Sequence, residues 1–475
     1  MTDSPTLTLE EVAFFERDTP FRMPFRFGVV TLTAAPQIFV HARIRTGDGR
    51  EGWGIAAEML APKWFDKSPG LSNEDNFDQL RHALAIAAKT CSAQRTAQSA
   101  FGLHAACAAE HAEHCAMASL PPLVASFGTA LLDRAILDAL LRLHDASVFA
   151  GARGNIFGLD GRLTPELDGF DLEAFLRARQ PAASIALRHT VGMVDPITAA
   201  DVTEETRVGD GLPETLEQVI DEYGVTHFKL KVGGDLEADI DRLSRIAAVL
   251  DRLPAYAATL DGNEQYADVE GILALWRRIG ETPALRRLHA SVLFIEQPIG
   301  RAVALSSDIS PLARVKPVEI DESDGSLDAF VEARRLGYTG VSSKSCKGFY
   351  RSLLNRARCA HWNDTEGTDR YFMSAEDLTT QAGIAVQQDL ALVALIGCTH
   401  VERNGHHYMH GFAGASAAEQ DGFLQAHPDL YHRPGDTVVL NIRDGALTLG
   451  SLDTPGLGSA AMPDFLALTA RHLTA

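Results

Sequence analysis

Five consecutive apolar runs in the second half of the sequence end in residues suited to acid–base and metal chemistry. The end segments are Lys229-Leu230-Lys231, Asp261-Gly262-Asn263, Glu296-Gln297-Pro298, Asp321-Glu322-Ser323 and Lys344. From Lys231 to Lys344 these ends recur every 23 to 35 residues, the length of one strand–helix unit. Carboxylates brought together from three adjacent strands would form the oxygen-rich site that Mg²⁺ prefers. A lysine on each side could reach a substrate held on the metal from opposite faces.

The chemistry that this arrangement predicts is removal of a proton next to a carboxylate group. The product, a dianionic enediolate, is unstable in water, and a divalent metal on the carboxylate oxygens neutralises the developing charge. A lysine base must lose its proton near neutral pH, whereas free lysine titrates at a pKa of about 10.4. Lys229 and Lys231 lie on the same face of their strand because side chains alternate along it. Lys229 and the metal would both lower the pKa of the base.

Each of these residues has an ordinary structural interpretation when it is taken alone. An aspartate after a strand is commonly a turn former or a helix N-cap, and a single glutamate or lysine is commonly a solvated surface group. Five strand ends in the order base, acid, acid, acid, base favour a site. Two other functions stay open. One is a barrel that only binds a carboxylate–metal complex, and the other is a Schiff-base lysine aldolase, which needs a desolvated lysine and no acid triad.

The elements that must position these residues are eight β-rich runs that alternate with helical segments. The runs are Ser184–Val191, His227–Val232, Ala257–Leu260, Val292–Glu296, Val318–Asp321, Gly340–Lys344, Tyr371–Ser374 and His400–Glu402. Eight strand–helix units are what a closed (β/α)8 barrel requires, and such barrels carry their chemistry at the carboxyl ends of the strands. An open doubly wound sheet is the alternative, and the lack of a glycine-rich phosphate-binding turn after an early strand disfavours it.

The remainder of the sequence predicts further structural units. The expected boundaries are 1–150 for an α+β domain, 183–430 for the barrel and 431–475 for a tail that packs back onto the first domain. In the first domain, Phe27–Thr33 and Gln37–Arg45 are β-rich, and Phe127–His144 has apolar residues at helical spacing. The tail is expected to contain a hairpin at Thr437–Leu449.

Composition and charge bound the function further. The chain has 475 residues, 46% of them hydrophobic, and a formal net charge of −20. Such an acidic protein is not expected to bind nucleic acid or an anionic membrane, yet a few local lysines suffice for a small carboxylate substrate. No apolar run approaches about 18 residues, the N-terminus lacks the apolar core of a signal peptide, and the six cysteines form no CxxC pair. We therefore expect a cytoplasmic protein without a membrane span.

The strand-end motifs resemble those of the enolase superfamily, and specifically its mandelate racemase/muconate lactonizing enzyme branch. The matching segments are FKLKVGGD (Phe228–Asp235), LDGNEQY (Leu260–Tyr266), FIEQPI (Phe294–Ile299), IDES (Ile320–Ser323) and VSSKSCKG (Val341–Gly348). The GWG at Gly52–Gly54 and the PGLG at Pro455–Gly458 also resemble the capping domain of that branch. The resemblance implies a modified TIM (β/α)7-8 barrel with an N-terminal α+β capping domain that the C-terminal tail completes. It also implies one Mg²⁺ per subunit and a homo-oligomer.

The resemblance implies a role for each strand-end residue. The implied metal ligands are Asp261, Glu296 and Asp321, with Asn263 and Glu322 as supporting residues. The implied acid–base groups are Lys231 on one face, with Lys229 beside it, and Lys344 on the other face. Lys347 is the rival to Lys344, but Lys344 is the residue that ends the strand. A lysine on the sixth strand argues against the histidine–aspartate pair of mandelate-racemase-like enzymes.

Substrate specificity and the final product depend on residues outside the strand-end set. The candidates for substrate contacts are Arg22, Trp53, Arg188 and His406. The eighth strand ends in Glu402-Arg403 without the acidic pair of dipeptide epimerases, which argues against that activity. Racemisation or epimerisation, cycloisomerisation and dehydration all begin with the same proton abstraction, so all three outcomes remain open.

Overall fold

The N-terminal part of the protein contains an antiparallel sheet. The computed structural model describes residues 4–27, 30–378 and 380–475. The sheet has the order β15-β1-β2-β3, formed by β1 (Leu7–Phe27), β2 (Val30–Thr46), β3 (Glu51–Met59) and β15 (Thr469–Arg471). The β-rich runs predicted at Phe27–Thr33 and Gln37–Arg45 fall mainly within the single long strand β2, and residues 28 and 29 lie outside the described residues.

Three long helices accompany this sheet: α1 (Asn73–Ala93), α2 (Ala100–Met117) and α3 (Pro122–Leu143). Nearly every residue of α3 is buried. Helix α3 lies directly against β3. The contact is so close that a Cβ atom added at Gly54 would be 2.1 Å from the backbone nitrogen of Ala139. The second glycine of the GWG motif is therefore required by close packing between a strand and a helix.

The second part of the protein is built on eight parallel strands. They are β4 (Ser184–Val191), β5 (His227–Lys231), β6 (Ala257–Asp261), β7 (Val292–Glu296), β8 (Val318–Ile320), β9 (Gly340–Ser343), β10 (Phe372–Ala375) and β11 (His400–Arg403). The strands neighbour one another in the order β10-β9-β8-β7-β6-β5-β4-β11. At the carboxyl ends of the two outermost strands, the Asp377 N–H donates to the Glu402 carboxylate at 2.9 Å, which draws the curled sheet together. The predicted fold, a TIM-like barrel with an N-terminal cap, is confirmed.

The helices of the barrel part surround these strands. They are α4 (Val148–Arg153), α5 (Leu172–Arg177), α6 (Leu216–Tyr223), α7 (Leu236–Leu250), α8 (Val269–Glu281), α9 (Arg286–Ser291), α10 (Arg301–Ala304), α11 (Ser310–Ala313), α12 (Ala329–Arg335), α13 (Phe349–Glu366), α14 (Ile384–Ile396), α15 (Gly405–Tyr408) and α16 (Ala417–Ala426). Short 3₁₀ turns occupy Pro165–Leu167, Ala199–Asp201, Pro283–Leu285, Ser345–Lys347, Gly450–Leu452 and Phe465–Ala467. Among the described residues, no helix combines the length and apolar character that a membrane span requires.

Helix α14 joins the barrel to the cap. All its residues are buried, and the Gln388 amide donates to the backbone oxygen of Ile55 in β3 at 2.6 Å. Arg134 of α3 donates to the same glutamine at 3.2 Å. The cap therefore rests on the barrel through buried polar contacts as well as apolar packing.

The C-terminal tail divides between the two parts of the protein. Its strands β12 (Tyr431–His432) and β13 (Val439–Leu440) pair with each other, and β14 (Ala446–Thr448) pairs antiparallel with barrel strand β4. The segment expected to pack on the first domain as a hairpin therefore lies partly on the barrel, where the Leu187 N–H donates to the Gly445 oxygen at 2.7 Å. Only β15 at the end of the tail pairs with β1 of the cap sheet.

Candidate active site

A small cavity lies between the carboxyl ends of the barrel strands and the cap. Its lining residues from the cap are Phe25, Met59, Ala61 and Trp64. Its lining residues from the barrel are Lys229, Lys231, Asp261, Asn263, Asp321, Lys344, Asp377, Leu378, Glu402 and Asn404. Six of the site residues expected from the sequence thus line one cavity: Lys229, Lys231, Lys344, Asp261, Asp321 and Asn263.

The ammonium of Lys229 lies at the centre of four carboxylates. Its Nζ is 3.0, 2.8, 2.8 and 3.1 Å from oxygens of Asp261, Glu296, Glu376 and Glu402, respectively. Burial alone would lower the pKa of Lys229, but the four carboxylates raise it well above its usual value. Lys229 therefore stays charged and supplies a fixed positive charge beside Lys231.

Lys231 lies on the side of the site that Asp261 borders. Its Nζ is 2.6 Å from Asp261 Oδ2 and 2.9 Å from Asn263 Oδ1. Its side chain is 12% exposed, whereas that of Lys229 is 2% exposed, so Lys231 is the more accessible of the pair. Burial raises the pKa of Asp261, but Lys229 and Lys231 outweigh this effect and lower it. Asp261 is therefore a carboxylate at neutral pH.

Lys344 occupies the opposite side of the site. Its Nζ is 2.5 Å from Asp321 Oδ2 and lies 4.3 Å from the ring centre of Trp64. Burial would lower the pKa of Lys344, but Asp321 raises it. Lys347 also approaches Asp321, at 3.5 Å, but it lies 3.1 Å from Asp324, donates to Ser342 at 2.8 Å and is not among the residues that line this cavity. The placement favours Lys344 over Lys347 as the group that faces a substrate.

Glu296 lies between these two sides on β7 and is fully buried. Its pKa is raised well above the usual value, first by burial and then by the neighbouring carboxylates of Asp261 and Glu376, with a smaller effect of Asp321. The carboxylates of the implied ligands Asp261, Glu296 and Asp321 thus repel one another, but among the described residues their oxygens do not all lie within 4.8 Å of one another. Such a set offers only oxygen donors and an excess of negative charge, which fits a bound Mg²⁺.

Two further buried glutamates belong to this acidic site, and sequence reasoning missed both. Among the described residues, one acidic trio has oxygens that all lie within 4.8 Å of one another, formed by Glu296, Glu319 and Glu376. Glu376 follows β10 directly, and Glu319 lies two positions before Asp321, on the same face of β8. Both signals were therefore present in the sequence as acids at or near a strand end.

Asn263 and Glu322, the two expected supporting residues, contact each other. The Asn263 Nδ2 group donates to Glu322 at 3.0 Å, and the Asn263 backbone N–H donates to Asp261 at 2.7 Å. Asn263 adopts the left-handed conformation with φ 46°, which turns both of its polar groups into the site. Gln297, which sequence reasoning did not assign, accepts hydrogen bonds from the backbone N–H groups of Asp321 and Ser323 at 2.9 and 3.1 Å.

None of the four candidates for substrate contacts is among the described residues that line the cavity. Arg22 is 2.6 Å from Asp210 and donates to the backbone oxygen of His407. The ring of Trp53 stacks on that of His41 with centroids 4.3 Å apart.

The other two candidates, Arg188 and His406, are also engaged by protein groups. Arg188 is buried against Glu376 and contacts a ring nitrogen of His400 at 2.7 Å. His406 lies 3.1 Å from His189. Phe25, three residues after Arg22 on the same strand, does line the cavity.

Comparisons with known proteins point to the same kind of fold. Residues 211–363 match the family model described as enolase C-terminal domain-like. No curated protein matches the sequence. Solved structures of low sequence identity share the fold over nearly the whole chain.

The first of these structures is a mandelate racemase/muconate lactonizing protein from Herpetosiphon aurantiacus, at 17% identity and a TM-score of 0.59, with 96% of this chain and 99% of that chain covered. The second is an N-succinyl Arg/Lys racemase from Bacillus cereus, at 17% identity and a TM-score of 0.59, with 98% and 100% covered. The third is an enolase from Bradyrhizobium complexed with magnesium and mandelic acid, at 18% identity and a TM-score of 0.58, with 98% of each chain covered.

The family model shows that residues 211–363, the central part of the barrel, are similar to enolase C-terminal domains. The solved structures show that the whole chain shares the fold of proteins named as mandelate racemase/muconate lactonizing enzymes, the family that the strand-end motifs resemble. At 17% and 18% identity the structural matches establish the shared architecture, and the roles of individual residues rest on the geometry of the site itself.

Proposed function

We propose that the protein is a Mg²⁺-dependent enzyme that removes the α-proton of a small carboxylate substrate and forms an enediolate. The observation that carries this proposal is the placement of Lys231 and Lys344 on opposite sides of one cavity. Strands β6, β7 and β8, which end at or beside the three carboxylates, lie between the two lysine-bearing strands. Asp261, Glu296 and Asp321 would hold the metal, and the metal would supply positive charge for the substrate oxygens.

The side chains of the site divide the acid–base work. Lys231 accepts the proton on one face, and Asn263 Oδ1, 2.9 Å away, keeps its amine directed at the cavity. Lys344 gives or takes a proton on the opposite face, held there by Asp321. Lys229 remains protonated among its four carboxylates and favours negative charge in the substrate.

The same first step leads to an isomerase or a lyase. A second base on the far face gives racemisation or epimerisation, whereas a general acid that expels a β-leaving group gives dehydration or cycloisomerisation. We further infer a cytoplasmic homo-oligomer whose partner is the small carboxylate, with neither nucleic acid nor a membrane as a partner. All six cysteines are buried and form no disulfide, which is the usual pattern of that compartment.

Deuterium exchange tests the proposal. Incubation in ²H₂O with acid sugars, amino-acid derivatives and lactones should incorporate deuterium at the α-carbon of at least one acid, and only when Mg²⁺ is present. Lys231→Ala and Lys344→Ala should each lower turnover by at least about a thousandfold while the fold stays intact. Lys316→Ala is the matched control, because Lys316 donates to the Val292 oxygen at the start of β7, the opposite end of the barrel.

The other outcomes point to the two alternative functions. If Mg²⁺ binds but no acid exchanges its α-proton, the protein is a carboxylate–metal binding barrel. If borohydride traps a carbonyl substrate on a lysine, the protein is a Schiff-base aldolase. Full turnover in either lysine variant would contradict the assignment of that lysine.

A further inference from the structure

A second cavity, of about 550 Å³, lies between helices α2 and α3 of the cap and the start of helix α13 of the barrel. Among the described residues, it shares no lining residue with the cavity that contains Lys231 and Lys344. Most of its wall is apolar and is formed by Ala108, Ala109, Ala112, Ala116, Leu120, Pro122, Ala125, Leu163, Leu327 and Leu354. Cavities of this volume with mainly apolar walls are typical binding sites for small organic molecules.

The polar part of this wall includes the guanidinium group of Arg351. It donates to the backbone oxygen of Asp324 at 2.6 Å and to Ser126 Oγ at 2.9 Å, and both Arg351 and Ser126 line the cavity. Its Nε group has no acceptor among the described residues and is not one of the fully enclosed polar atoms, so it keeps accessible surface. Arg351 can therefore donate further hydrogen bonds to a molecule in the cavity.

The acids near this guanidinium group are engaged by other cations. The carboxylate of Asp324 lies 3.1 Å from Lys347, and that of Asp133 lies 2.8 Å from His104 Nδ1. Among the described residues, Arg351 is therefore the cation of the wall that has no ion-pair partner, in a chain whose net charge is −20.

The charge of Arg351 is also poorly compensated by its surroundings. Burial lowers the pKa of Arg351, and the nearby Asp324 offsets this effect only in part. Because arginine stays protonated in proteins, the cost of burial falls on the charged form. An anion bound beside a partly buried charge recovers some of that cost.

Two further groups at the start of α13 favour a negative charge in the cavity. Tyr350 is 2% exposed and lines the cavity, and no described residue forms a hydrogen bond with its hydroxyl group. That hydroxyl is not one of the fully enclosed polar atoms, so it keeps accessible surface. Helix α13 has 18 residues, and no side chain caps its N-terminus at Gly348, which also lines the cavity. Free N–H groups at such a terminus attract anions.

We propose that this second cavity binds a small organic anion with one carboxylate group and an apolar body. The carboxylate accepts hydrogen bonds from Arg351 and Tyr350 at the start of α13, and the apolar body packs against the alanines of α2. The site is separate from the proposed catalytic site, and its existence does not depend on the proposed function.

Calorimetric titration of the full chain, with EDTA present to remove divalent metals, tests the inference. 1-Naphthaleneacetate carries the charge and the apolar body, 1-naphthaleneacetamide carries the body alone, and acetate carries the charge alone. The naphthaleneacetate should bind at one site per chain, at least about tenfold more tightly than either of the other two. Octanoate, compared with octanamide in the same way, shows whether the cavity takes an aliphatic body instead of an aromatic one.

Three variants show where the acid binds. Arg351→Met should lower the affinity for the acid to that for the amide, because it removes the charge and keeps an apolar side chain. Ala112→Trp should weaken the binding of acid and amide alike by at least about tenfold, because the indole fills the cavity. Ala106→Trp is the matched control and should change neither affinity, since Ala106 is also exposed on α2 but does not line the cavity.

A variant of the other cavity separates this site from the proposed catalytic site. Lys231→Ala should leave the affinity for the acid unchanged. If Lys231→Ala abolishes binding and Ala112→Trp does not, the acid occupies the catalytic cavity and the inference is wrong. Equal affinities for acid and amide in both pairs, or no binding of either acid, would also overturn it. If Arg351→Met does not fold, the comparison of acid with amide and the two tryptophan variants still decide the question.

Discussion

The two walls of the cavity differ in almost every physical property. The barrel wall is charged, with Lys231 and Lys344 within 2.6 Å of carboxylate oxygens. The cap wall is apolar and presents the rings of Phe25 and Trp64. The difference fits the proposed function, in which the barrel wall would carry out the reaction and the cap wall would contact the rest of the substrate.

The two walls also differ in how the backbone supports them. Lys231, Asp261 and Glu296 occupy directly paired positions on β5, β6 and β7, so parallel ladders hold these side chains in register. Phe25 follows a register shift in the β1–β2 pairing, and Trp64 lies between β3 and α1. The sequence of an irregular segment can change without disturbing the barrel strands. Barrel enzymes therefore differ in substrate mainly through such segments.

The largest expected effect concerns the proposed metal ligands of the barrel wall. Asp261→Asn and Asp321→Asn should each weaken Mg²⁺ binding by about a hundredfold or more and abolish exchange, because each removes a negatively charged oxygen donor. Calorimetric titration with Mg²⁺ measures the affinity. Glu319→Gln is the control, and its affinity should change by less than about threefold. The reverse result would place the metal at the trio of Glu296, Glu319 and Glu376.

The next effect concerns the charge balance of the same wall. Lys229→Met leaves four buried carboxylates without their shared cation, and it should lower the free energy of unfolding by about 3–5 kcal/mol. Urea unfolding with EDTA present measures this loss. Lys316→Met, at the other end of the barrel, should lower it by less than about 1 kcal/mol. Equal losses in the two variants would mean that the Lys229 ion pairs contribute nothing specific.

The barrel wall was easier to predict from the sequence than the cap wall. The β-rich runs of the barrel matched the observed strands to within one or two residues, because a buried parallel strand is a short apolar run between turns. The strand-end residues followed from those runs. The register between neighbouring strands could not be predicted from the runs, because packing sets it. Glu319, rather than Asp321, pairs with Glu296 across β7 and β8.

The cap wall was harder to predict for a physical reason. Trp53 and Arg22 are the kinds of residue that bind ligands, yet Trp53 stacks on His41 and Arg22 pairs with Asp210. An aromatic or charged side chain satisfied by the protein has the same sequence signature as one that faces a ligand. Only tertiary contacts distinguish Trp53 from Trp64, which lines the cavity.

A third effect contrasts the pH response of the cap with that of the barrel. Burial raises the pKa of Glu58, on β3, from 4.5 to about 7, despite Arg134 at 3.0 Å. Between these two values the folded protein holds a proton that the unfolded chain has released, so rising pH lowers stability. Asp321 has the opposite sign: its lowered pKa stabilises the fold above pH 3.8, and falling pH removes that stabilisation.

Removal of the Glu58 carboxyl group tests this contrast. In urea unfolding at pH 5 and pH 7.5, the wild type should lose on the order of 2–3 kcal/mol more than Glu58→Gln over that interval. Asp321→Asn should leave the slope in this interval unchanged, because Asp321 titrates below it. Parallel pH profiles for the wild type and Glu58→Gln would contradict the assignment of a raised pKa to Glu58.

The smallest effect concerns the cap wall itself. Trp64→Leu should raise KM by about tenfold for an exchanging acid and change kcat by less than about twofold, because the ring forms part of the cavity wall that the cap supplies. Trp53→Leu is the matched control and should leave both constants unchanged, since Trp53 stacks on His41 outside the cavity. The ring of Trp64 also lies 4.3 Å from Lys344. A fall in kcat with unchanged KM would therefore mean that Trp64 acts on the lysine rather than on the substrate, and the two walls would not be independent.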